Sequence, residues 1–121
     1  MLFMIENLKA VKIEVFVPPE ALKKVKIAMH QAGAGKMGDY DWAAAEIQVK
    51  GYWRPLEGAN PYLGEQNSIC CADEIKIEAY CKKEYAAQVL KAIRQAHPYE
   101  EPVINAIPII NHLFESREEH N

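Results

Sequence analysis

No stretch of this chain is apolar for the roughly 20 residues that a membrane helix needs, so no membrane partner is expected. A run of charge of one sign is missing too. The formal net charge is −3 and acidic and basic residues are interspersed. Without a basic stripe, a nucleic-acid partner has no electrostatic support. Cysteine is scarce: Cys70, Cys71 and Cys81 are an odd number with no framework spacing, which predicts free thiols and a cytoplasmic protein. Met1 to Asn7 lacks a basic region and a small-residue cleavage site, so no secretory leader is expected. The vicinal pair Cys70-Cys71 has no second pair to complete a zinc site. Gly33, Gly35 and Gly38 follow a helix instead of preceding one, and so offer no phosphate cradle. No Ser–His–Asp or Cys–His arrangement is legible, and a self-contained catalytic site is not predicted.

What is present is a repeat. Lys12-Ile13-Glu14 recurs as Lys76-Ile77-Glu78, and at the same offset of 64 residues Val25 matches Val89, Ala28 matches Ala92, and Gln31-Ala32 matches Gln95-Ala96. Phe16 and Tyr80 are its aromatic partners. Each copy opens with period-two alternation, Val11, Ile13, Val15, Val17 and then Ile75, Ile77, Ala79, Cys81, which predicts a strand with one face on a core. A helical stripe follows in each: Leu22, Val25, Met29, Ala32, and Ala86, Val89, Ile93, Ala96. Pro18 and Pro19 suit the start of the first helix, Gly33 its end, and Pro98 stops the second. Second strands are expected over Trp42 to Tyr52 and Val103 to Ile110, the latter at a sheet edge because Pro108 lacks a donor.

The order βαββαβ predicts an α+β, ferredoxin-like sandwich: a four-stranded antiparallel sheet with two helices on one face. The single domain would span residues 1–121, with a core over 9–110, a long loop over 54–72 between the second and third strands, and a polar tail over 111–121. The helix-free face should carry Lys12, Glu14, Phe16, Lys76, Glu78 and Tyr80. Phe16 and Tyr80, expected close together, would form an apolar patch fit for an interface.

The loop is too long to be idle. Arg54, Glu57, Asn60 and Tyr62 within it are candidates for binding a ligand or a neighbouring subunit. So are His97, Tyr99 and Glu100 in the run His97-Pro98-Tyr99-Glu100-Glu101-Pro102. One His and two carboxylates form an incomplete ligand set for a divalent metal. Adjacent carboxylates in extended chain point to opposite faces. His97 is read as a cap at a helix C-terminus, and His30 as a solvated residue on its helix.

Gly-Ala-Gly-Lys-Met-Gly-Asp-Tyr over residues 33–40, the loop Arg54-Pro55 followed by Gly58, Pro61 and Gly64, and Ala96-His97-Pro98-Tyr99-Glu100-Glu101 resemble the NIF-three-like, or YqfO-type, family. The resemblance is to the domain inserted in its longer members, and it covers Val11 to Pro108. It implies a fold similar to the CutA and PII proteins, and a homo-oligomer, a trimer before a dimer. It also implies that the two-metal centre of the longer proteins belongs to flanking halves with no match here. The expectation is a stand-alone, non-enzymatic, oligomeric binding or regulatory module for a small-molecule or protein ligand, with no cofactor. The alternative is a small metal-handling protein or enzyme with a site at a subunit junction around His97, Tyr99 and Glu100.

Overall fold

The computed structural model describes residues 6–115. The stretch before residue 6 and the end of the tail, with His120, lie outside the described residues. Strand β1 (Ala10–Val17) leads through a 3-10 turn (Pro19–Ala21) into helix α1 (Leu22–Gln31). Strands β2 (Ala45–Trp53) and β3 (Cys70–Lys82) form a long hairpin, followed by α2 (Lys83–Ala96), β4 (Ile104–Ile109) and a closing 3-10 turn (Asn111–Leu113). The four strands form one antiparallel sheet in the order β2-β3-β1-β4. This is the ferredoxin-like arrangement, and Pro108 does lie on an edge strand.

The core follows from the alternation. Ile13, Val15, Val17, Ile77, Ala79 and Cys81 of the central strands meet Val25, Met29, Val89 and Ile93 of the helices, all essentially solvent-free. Leu22 and Ile75 pack against this cluster and are partly buried. Gly33 closes α1 at φ +124°, and a Cβ there would come within 2.7 Å of the Tyr85 ring on α2. Both the backbone conformation and the close approach require glycine.

The repeat is structural. Equivalent residues occupy equivalent elements, and Glu14 and Glu78 are also direct partners in the β1–β3 ladder. A pseudo-twofold axis therefore passes between them. In the flanking strands the offset falls from 64 to 60 residues: Ala45 faces Glu78 as Asn105 faces Glu14. The axis corrects one expectation. Phe16 pairs with Lys76 and Tyr80 with Lys12, four positions apart along the strands, so the two aromatics sit toward opposite ends of the face and do not touch. The equivalent positions of an antiparallel pair diverge with distance from the axis.

Register also shows an inversion between central and edge strands. On β1 and β3 the apolar set faces the helices. On β2, Ala45, Ile47 and Val49 share a face with Glu78, Lys76 and Glu74, and on β4, Ile107 and Ile109 share one with Lys12 and Ala10. Ile47 and Val49 of β2 and Ile107 and Ile109 of β4 thus point to the helix-free side, while Ile104 of β4 packs on the core. At the centre of that side Lys12 contacts Glu14 at 2.9 Å and Glu78 at 3.4 Å, while Lys76 contacts Glu78 at 3.0 Å and Glu14 at 4.0 Å. Two like charges opposite each other on a ladder would repel; the two lysines neutralise them.

The second strand starts three residues later than its pattern suggests, at Ala45, because the segment from Gly33 folds back on the end of α1. Gly35 N–H donates to the Tyr80 carbonyl, Ala43 N–H to that of Gly35, and the Trp42 ring stacks on His30 at 4.6 Å. His30 is therefore buried, not solvated, and its Nδ1–H donates to the Ala34 carbonyl. The long loop ends at residue 69, earlier than expected, because Cys70 to Ala72 continue the ladder opposite Gly51 to Trp53.

Candidate functional site

At one end of the helix-free face lies an open cleft of about 580 Å³. Its floor comes from the sheet: Phe16 at the end of β1, Gly51 and Trp53 on β2, and Glu74 on β3. The long loop forms one wall, with Arg54, Leu56 and Tyr62, and the segment after α2 forms the other, with Tyr99, Glu100 and Glu101. The walls are tied together. The Tyr62 hydroxyl donates to Glu20 Oε2 at 2.7 Å, Asn60 N–H donates to Glu100 Oε1 at 3.0 Å, and Trp53 Nε1–H donates to the Leu63 carbonyl at 3.2 Å. The Tyr62 and Tyr99 rings lie 5.8 Å apart.

Tyr99 is held from behind. His97 Nε2–H donates to the Phe16 carbonyl at 2.7 Å, and its Nδ1 accepts Tyr99 N–H at 3.1 Å. A carbonyl only accepts and an N–H only donates, so this pair of bonds specifies the neutral Nε2–H tautomer. Burial pushes the His97 pKa below its ordinary value, in the same sense. Both ring nitrogens are engaged, and the imidazole braces the wall instead of capping the helix with positive charge. The Tyr99 hydroxyl in turn donates to Glu74 Oε2 at 2.7 Å. Burial, then the bond to Glu74, pushes the phenol well above its ordinary range. Tyr62 is also shifted up by its bond to Glu20, whose own pKa that bond lowers.

Glu74 is 8% exposed. A Cβ on Gly51 would collide with its carboxylate, so the missing side chain at Gly51 makes the room that Glu74 occupies. Glu74 is not legible as a site residue in the sequence, because in β3 it continues the alternation of Lys76 and Glu78 and reads as another surface residue. The one signal was Gly51, a glycine inside a strand pattern, which marks close approach by a neighbour.

The structure brings together Arg54, Tyr62, Tyr99, Glu100 and Phe16 at the cleft, with His97 behind them. It does not bring Glu57, Asn60 or Tyr80 side chains there: Glu57 and Asn60 are exposed beyond the rim, contributing the Glu57 carbonyl to Gln66 and the Asn60 N–H to Glu100. Glu100 and Glu101 both border the cleft, because the chain bends there instead of running extended. Among the described residues no three His, Cys, Asp or Glu side chains converge as a metal-holding group, and no helix is long and apolar enough to cross a membrane.

The fold is that of an α+β domain of the CutA-like, ferredoxin-like class. It is similar to the divalent cation tolerance protein CutA of Archaeoglobus fulgidus (TM-score 0.60, 20% identity, 83% of each chain) and to the PII-like protein CutA of Nostoc (TM-score 0.63, 14% identity, 90% of this chain and 88% of that one). A Bacillus cereus protein related to NIF3 superposes with a TM-score of 0.74 at 29% identity, over 84% of this chain and 26% of that one. Proteins named GTP cyclohydrolase 1 type 2 homolog align at 35% identity over 100 residues in Halalkalibacterium halodurans and 37% over 95 residues in Listeria monocytogenes, covering 83% and 78% of this chain. The chain belongs to this NIF3-related, or YqfO-type, family, and spans about a quarter of the length of the relatives it matches. No protein-family model matches it.

Proposed function

We propose that this domain is a non-enzymatic binding module that assembles with copies of itself through the helix-free face of the sheet and takes a small molecule in the cleft at the end of that face. The apolar residues that the edge strands place on that face carry the reading. Ile47 and Ile107 are 40% and 39% exposed on a face where no helix covers them. In a domain working alone these side chains would be directed toward the helices, since a one-residue change of register moves an entire apolar set to the other face. The charges between them are already paired within the subunit, so covering the face strands no lone ion. Closed symmetric association is the common way to bury such a surface, and a trimer fits the CutA-like fold. Size-exclusion chromatography of Ile107→Glu tests the reading. A shift from an assembled species to a folded monomer supports it, and an unchanged elution volume overturns it.

The alternative, metal chemistry around His97, Tyr99 and Glu100, is disfavoured by the engagement of both His97 nitrogens. Elemental analysis of protein purified without chelator separates the two: one metal per subunit that is lost in His97→Ala would favour the alternative.

A further inference from the structure

We infer that the cleft recognises an organic amine, with the ammonium group against Glu74 and an apolar body between the aromatic walls. The inference rests on the binding reading above and names its ligand class. Three observations carry it. The first is a largely buried carboxylate. Glu74 Oε2 accepts from Tyr99, and the carboxylate lies against Gly51 on the floor of the cleft. A largely buried carboxylate on a cleft floor is a favourable partner for a charged donor. The second is the aromatic lining. Phe16, Trp53, Tyr62 and Tyr99 all border the cleft, and a cation is attracted to aromatic faces. The third is the balance of charge: Glu74, Glu100 and Glu101 stand against Arg54 alone. Arg54 is exposed, where its field is screened by solvent and salt, whereas Glu74 is not. An anionic ligand would have to bring its charge toward Glu74 without a buried cation to receive it.

The test is calorimetric titration of the intact chain with phenethylammonium, phenethyl alcohol and phenylacetate, which share one body and differ in charge. The expected order is ammonium tightest, by about tenfold or more over the alcohol, with phenylacetate weakest. Glu74→Gln should abolish the preference of the ammonium over the alcohol. If that variant does not fold, Glu74→Asp, which withdraws the carboxylate by one methylene, should narrow the preference. Equal binding of ammonium and alcohol, or tighter phenylacetate, overturns the amine assignment and leaves the cleft as a binding site of other specificity. No saturable binding of any probe overturns both readings. Ammonium binding seen only in the dissociated Ile107→Glu protein would mean that a second copy fills the cleft, and overturns the assignment of a free ligand.

Discussion

Glu14 and Glu78 face each other across the β1–β3 ladder and are the same position of the internal repeat. Each is bridged to both Lys12 and Lys76, so the domain's axis runs through a neutral quartet. The bond from Lys76, with the field of Lys12, holds the Glu78 carboxyl below its ordinary value of 4.5. A carboxyl lowered in the folded state adds stability above its unfolded value and loses it as pH falls through the folded one. Melting temperature should therefore drop as pH falls below 4.5, and less steeply in Glu78→Gln. Added salt should shrink the difference, since these groups are in contact with solvent. Identical acid profiles for the two proteins would remove the quartet from the account.

His97 gives a second pH signature, in a different window. Its pKa is lowered by burial from the ordinary 6.5, so below that value the unfolded chain takes up a proton that the folded chain refuses. Stability should decline as pH falls from 6.5, and His97→Gln should flatten that part of the profile. The same variant should also lose about 1 kcal/mol at neutral pH from the bond to the Phe16 carbonyl. Thermal melts at several pH values measure both effects.

Tyr99→Phe removes the only hydroxyl on Glu74 among the described residues. Leaving a buried acceptor without its donor should cost about 1–3 kcal/mol. Chemical denaturation reads this directly, and a loss near zero would mean that water replaces the phenol.

In the core, Ile93→Ala should cost about 2–4 kcal/mol and Val25→Ala somewhat less, since both side chains are fully enclosed between sheet and helices. Denaturation of each variant checks the order.

The fold was legible because each repeat carries its strand and its helix in one register, and Ile13 with Ile77, or Val25 with Val89, announces the same environment twice. The site was less so. Arg54 and Tyr62 are candidates because their loop is long and Tyr99 because of the run after the second helix, but Glu74 looks like Glu78 until Tyr99 bonds to it and Gly51 makes room for it. His30 looked like a polar helix residue because nothing in its own helix tells that Trp42 will fold back upon it. The proximity expected of Phe16 and Tyr80 failed for a geometric reason: sequence shows equivalence, while distance depends on where the axis falls.

An interface between copies of the chain on the helix-free face fixes the mass of the protein in solution. Multi-angle light scattering across a micromolar concentration series tests it most directly. The expected result is a trimer, a single species at three times the 13.7 kDa of one chain. A clean monomer at 13.7 kDa throughout the series would contradict it.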